Sequence, residues 1–157
     1  MAKRVVKIFL DSNVILSGLI SDKGAPRIIL DILSLNLPFL KGVTGEYNLI
    51  EIERNMKKKI PQALPVYKKY LSKLNLEIIP IPSYEEIKKF SEYISGKDIP
   101  VVVSAIKGKV DFLITGDKKH FESLKRKRDF PVKILDPSEF CGEILSKIIE
   151  EFKKFKR

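Results

Sequence analysis

Short apolar runs alternate with amphipathic stretches along the chain. Val5 to Leu10 reads as a buried strand. Asn13 to Ile20 predicts a short helix that stops near Gly24. Pro26 suits the first turn of a second helix ending near Leu35, and its Ile28, Ile29, Ile32, Leu33 and Leu35 follow helical spacing. Pro38 to Val43 is a second strand. Glu46 to Met56 is a helix with Leu49, Ile52 and Met56 on one face. Pro61 breaks it, and Leu64 to Leu74 forms another helix. Glu77 to Ile81 is a third strand. Ser83 and Glu86 have capping-box spacing, which predicts a helix to about Ser95. Asp98-Ile99-Pro100 reads as cap and first turn of a helix carrying Val101 to Ile106. Phe112 to Thr115 is a fourth strand, followed by a short helix around Lys119 to Leu124. Val132 to Leu135 is a fifth strand. Asp136-Pro137 opens a C-terminal helix with Phe140, Ile144, Leu145, Ile148 and Ile149 inward.

Strands that alternate with helices specify an α/β fold. The expected form is a three-layer α/β/α sandwich with a mostly parallel sheet of four or five strands. The run Val5 to Leu10 places the first strand centrally, because a strand covered on both faces is apolar on both. No repeat or long linker divides the chain, so residues 1–157 are expected to form one domain.

Composition narrows the chemistry. One cysteine, Cys141, excludes an internal disulfide framework. With one histidine, His120, it cannot complete a tetrahedral zinc site. A metal would therefore be a hard cation held by oxygen. The run Val101-Val102-Val103 is too short to span a bilayer, and the start lacks a secretion signal, so a cytoplasmic protein is expected. Thirty Lys and Arg against twenty Asp and Glu leave a net charge of +10. That excess favours phosphate backbones or acidic partners. Basic clusters stand at Lys57-Lys58-Lys59, Lys125-Arg126-Lys127-Arg128 and Lys153 to Arg157, and each can also be read as an ordinary solvated face.

Acids stand where such a sheet builds sites, at the carboxyl ends of strands. Asp11 ends the apolar run Ile8-Phe9-Leu10, and Asp117 follows Phe112-Leu113-Ile114-Thr115-Gly116. Asp98 precedes Ile99-Pro100. Each also suits a plain helix cap. Asn13 and Thr115 are placed to hydrogen-bond these carboxylates and hold their rotamers.

In order and spacing, Asp11-Ser12-Asn13-Val14, Glu51 in Leu49-Ile50-Glu51-Ile52, Asp98 with Ala105, and Thr115-Gly116-Asp117 resemble the PIN domain family. The ending from Val132 to Phe140 is similar to the closing strand and helix of one branch. The resemblance implies a metal-dependent ribonuclease, with Asp11, Glu51, Asp98 and Asp117 holding Mg²⁺ or Mn²⁺. It implies RNA as substrate, with Lys57, Lys58, Lys118 and Lys119 as backbone contacts. It also implies a small antitoxin partner and a homodimer, with Ala25 to Lys73 as the contact region. Two positions depart from the family pattern. Gly45 stands where Ser or Thr is common, and Lys118-Lys119-His120 follow Asp117 where some members carry a further acid. These keep a non-catalytic nucleic-acid-binding module as the alternative. A phosphotransfer α/β domain fits less well, because Asp11-Ser12-Asn13 lacks the second acid such enzymes need.

Overall fold

The computed structural model describes residues 5–94, 96–126 and 130–155. Its strands are β1 (Val6–Leu10), β2 (Leu40–Gly45), β3 (Glu77–Ile79), β4 (Phe112–Ile114) and β5 (Lys133–Leu135). They form one parallel sheet in the order β3-β2-β1-β4-β5. The order reverses at β1, so the carboxyl ends of β1 and β4 border a crevice of the kind that binds ligands in open α/β sheets.

Helices α1 (Ser12–Ile20), α2 (Ala25–Ser34), α3 (Glu46–Lys59) and α4 (Leu64–Lys73) follow β1 and β2. Then come α5 (Tyr84–Lys88), α6 (Ile99–Lys107), a 3₁₀ segment (Lys118–Arg126), and α7 (Pro137–Glu139) leading through a π-helical stretch into α8 (Ser146–Phe155). The layers follow from β1. Ile8 and Leu10 join one apolar cluster with Val14, Leu30, Ile52 and Phe140. Phe9 points the other way, into a cluster with Val43, Val102, Leu113 and Phe121. Both sets are fully buried, as a doubly covered central strand requires.

Several boundaries differ from the sequence reading. Strand β2 runs on to Gly45 and passes directly into α3, because Thr44 is buried and its hydroxyl donates to the Leu10 carbonyl at 2.9 Å. The buried stripe of α3 is Asn48, Ile52 and Met56, with Leu49 only partly covered. The helix expected to reach Ser95 ends at Lys88, although its Ser83–Glu86 capping box forms. Beyond it the chain tightens into turns, with the Phe90 N–H bonded to Ile87 O and the Tyr93 N–H to Phe90 O. Those turns bury Phe90 and Ile94, and Ser95 itself lies outside the described residues.

Candidate active site

Asp11 is the deepest of the acids, only 8% exposed. Its backbone extends the β1–β4 ladder by donating to Ile114 O at 3.0 Å, and its carboxylate caps α1. Oδ1 accepts from the Ser12 N–H at 2.8 Å and from Asn48 Nδ2 at 3.2 Å. Oδ2 accepts from the Thr115 hydroxyl at 2.8 Å. Burial pushes this carboxyl up to about 6, against the lowering by the Thr115 and Ser12 bonds. The negative charges of Glu51 and Asp98 raise it further.

Asp117 is joined to Asp11 through one hydroxyl. Thr115 Oγ1 accepts from the Asp117 N–H at 3.0 Å while donating to Asp11. Asn13 secures the other side, with Nδ2 donating to Asp117 Oδ2 at 3.0 Å and Oδ1 accepting from the Gly116 N–H at 2.9 Å. Asp98 begins α6, but its side chain makes no capping bond, contrary to the cap expected there. Its backbone already has helical angles (φ −93°, ψ −15°), not the extended geometry a capping side chain needs. Asp98 Oδ2 lies 3.6 Å from His120 Nδ1. Glu51 is partly buried on α3. Its neighbours face elsewhere, for Glu46 accepts from the Ile81 N–H at 3.4 Å and Glu53 pairs with Lys68 at 3.9 Å.

The basic residues divide. Lys57, Lys58 and Lys59 are exposed in the last turn of α3, where cations also suit the helix dipole. Lys118 is engaged, with Nζ at 2.8 and 2.9 Å from the two Glu139 oxygens. Lys119 is exposed. Lys127, Arg128, Lys156 and Arg157 lie outside the described residues.

Two side chains at this site escaped the sequence reading. One is Asn48, fully buried against Asp11. Its signal was present, as a polar residue spaced four from Ile52 and eight from Met56 on the inward stripe. The other is Tyr47, whose hydroxyl donates to the Lys97 carbonyl at 3.3 Å. Burial raises that hydroxyl's pKa, and Glu51, Asp98 and Asp11 add to the rise. A cleft of about 420 Å³ opens beside Asp98, lined in part by Tyr93, Lys97 and His120.

The PIN domain sequence pattern matches residues 7–119, a span from β1 through Asp117 that includes Asp11, Glu51, Asp98 and Asp117. The chain belongs to the PIN domain family. Solved structures with this PIN fold include VapBC-1 from nontypeable Haemophilus influenzae, at TM-score 0.61 and 16% identity, covering 85% of this chain and 99% of that one. DNA-bound VapBC from Salmonella typhimurium gives TM-score 0.62 and 14% identity, with the same two coverages of 85% and 99%. A protein from Pyrobaculum aerophilum gives TM-score 0.58 and 14% identity over 88% of this chain and 95% of that one. No curated protein sequence matches this PIN domain chain. Among the described residues, no helix is long and apolar enough to cross a membrane.

Proposed function

We propose that this PIN domain is a metal-dependent endoribonuclease that cleaves single-stranded RNA, with Mg²⁺ or Mn²⁺ held by Asp11, Glu51, Asp98 and Asp117. The observation that carries the reading is Asp11, a buried carboxylate whose proton is held up to about pH 6 by burial and by two further acids. The donor chemistry fits. Carboxylate oxygens suit a hard cation, and crowded negative charge favours binding one. When bound, the cation would supply charge neutralisation at the phosphate and an activated water. Asp11 contributes a fixed ligand at the floor, because its rotamer is set by Ser12, Asn48 and Thr115. Asp117 contributes an exposed ligand, steadied by Asn13. Lys57, Lys58 and Lys119 lie exposed and supply charge that draws in a backbone the acids would repel. Lys118, already neutralised by Glu139, contributes less.

A non-catalytic, nucleic-acid-binding role is the second reading. Among the described residues, no three His, Cys, Asp or Glu side chains stand close enough to hold a metal ion as they are oriented. On the nuclease reading the partly and fully exposed acids turn inward around Asp11 when the cation arrives. One assay separates the two. Mixed-sequence single-stranded RNA is incubated with Mn²⁺, with EDTA, and with the Asp11→Asn variant in Mn²⁺. Cleavage only in the first supports the nuclease. Salt-sensitive binding with no cleavage in any supports the binding module. Equal cleavage in all three overturns both.

The toxin role of a toxin–antitoxin pair fits the same reading, and VapBC neighbours support it. Such a partner needs an apolar seat. Exposed Ile28, Leu35 and Val66 lie within Ala25 to Lys73, and Ile20 and Val66 flank a groove floored by Leu16, Met56 and Tyr67.

A further inference from the structure

Asn48 is a buried amide placed where a hydrocarbon would be expected. It continues the inward stripe of Ile52 and Met56, and it is fully buried. Burying an amide costs free energy unless its groups are bonded. Its Nδ2 is satisfied, donating to Asp11 Oδ1 at 3.2 Å and to Ser12 Oγ at 3.0 Å. Its Oδ1 has no hydrogen-bond partner among the described residues. A side chain serving packing alone would be better as Leu or Met. The retained amide points to the bond with Asp11.

Gly45 supplies an independent observation. It is the N-cap residue of α3 with φ −98° and ψ 151°, angles that any residue adopts. Backbone freedom therefore does not explain the glycine. A Ser, Asn or Asp there would add a side-chain cap to the helix, which this chain forgoes. Space does explain it. A Cβ at position 45 would lie 2.8 Å from Asn48 Oδ1 and 3.0 Å from Ser104 Oγ. The amide cannot simply swing aside, because its other end is tied to Asp11 and Ser12. Asn48 in its observed place and a side chain at position 45 exclude each other.

We propose that Asn48 is a positioning residue for Asp11, and that position 45 lacks a side chain so that Asn48 can reach it. Asn48 lies one turn before Glu51 on the same helix, so its bond sets the spacing between Asp11 and Glu51. The proposal rests on the metal-site reading above. It also accounts for the departure at Gly45, where loss of the usual hydroxyl goes with gain of an amide three residues later.

The test is Mn²⁺ binding to the metal-free protein, by calorimetry without RNA. The proteins compared are wild type, D11N, N48A, G45A and G45A/N48A, each checked by circular dichroism and thermal melting. N48A is expected to bind Mn²⁺ about 10-fold or more weakly, as loss of a partner behind a metal ligand does. G45A is expected to lose a similar factor, because its Cβ displaces the amide. In G45A/N48A the clash with the amide is gone and only the 3.0 Å approach to Ser104 Oγ remains, so the double variant should bind no more weakly than N48A. In cleavage, N48A should lower kcat with KM for RNA unchanged. A merely structural Asn48 would lower the melting temperature and leave the Mn²⁺ affinity of the folded protein intact, and that result overturns the proposal. Losses in G45A and N48A that multiply in the double variant also overturn it. Wild-type affinity in G45A overturns the part concerning Gly45. If N48A does not fold, N48S takes its place, since its hydroxyl is too short to span to Asp11. Equal Mn²⁺ affinity in wild type and D11N would instead defeat the metal-site reading itself.

Discussion

Thr115 holds Asp11 by a 2.8 Å hydrogen bond, and the same hydroxyl oxygen receives the Asp117 N–H. One buried side chain thus sets two acids on neighbouring strand ends. Replacing it with the near-isosteric Val keeps the volume and removes both bonds. Thr115→Val should lower unfolding free energy by about 1–3 kcal/mol, the cost of leaving buried polar groups unpaired. Thr115→Ser should recover most of that loss. Urea unfolding of the three proteins checks it, and a Val variant as stable as wild type would show that the bonds contribute nothing.

Asp11→Asn should abolish Mn²⁺-dependent cleavage, since it keeps the shape and removes a negative ligand. Its stability at pH 7 should hold or rise. The wild-type carboxylate is ionised there although burial and two acids favour its protonated form. Relief of that penalty is on the order of 1–3 kcal/mol. Parallel cleavage assays and melts at pH 7 measure both effects, and a strongly destabilised variant would contradict the second.

The same carboxyl predicts a pH dependence for the metal-free protein. Its folded pKa of about 6 lies above the ordinary value of 3.8, so between these values the native state binds more protons than the unfolded chain. The contribution of Asp11 to stability is therefore fully present below about pH 4 and is lost as pH rises through 6. Urea titrations from pH 4 to 7 should give a wild-type-minus-D11N stability difference that falls over this window. A difference independent of pH would mean that Asp11 is not held protonated.

RNA binding should depend steeply on salt, because lysines neutralising phosphates release counterions. Lys57→Ala and Lys58→Ala should each reduce the log–log salt slope by roughly 0.7, the value per phosphate contact on single strands. Lys118→Ala should change it less, as that ammonium is already paired with Glu139. Fluorescence anisotropy of labelled RNA across a salt series reads all three. An unchanged slope in the Lys57 and Lys58 variants would move the RNA path to another face.

A homodimer or antitoxin complex would cover the apolar side chains that remain exposed between α1 and α4. Val66, at 68% exposure, is the most informative probe among Ala25 to Lys73. Wild type should behave as a dimer by light scattering at micromolar concentration, and Val66→Asp should shift it toward monomer. A wild-type monomer would count against self-association through this region.

The local order of the fold was legible because its signals are local. Apolar runs, Pro26, Pro61 and Pro137, and the Ser83–Glu86 spacing mark strands, breaks and caps through neighbours a few residues apart. The doubly apolar β1 also announced its central place, since Ile8 and Phe9 must be covered on opposite faces. The positions of Asp11 and Asp117 at strand ends belong to the same class of signal. What only the tertiary structure decided were relations across long stretches of chain. The Thr115–Asp11 bond spans 104 residues and the Asn48–Asp11 bond spans 37, and no periodicity encodes either pairing. The capping bond expected of Asp98 failed to form because helical angles at its own backbone turned the side chain to other partners. Gly45 looked like a missing hydroxyl in the sequence. In the fold it is the space that a buried amide needs to reach the acid at the end of the central strand.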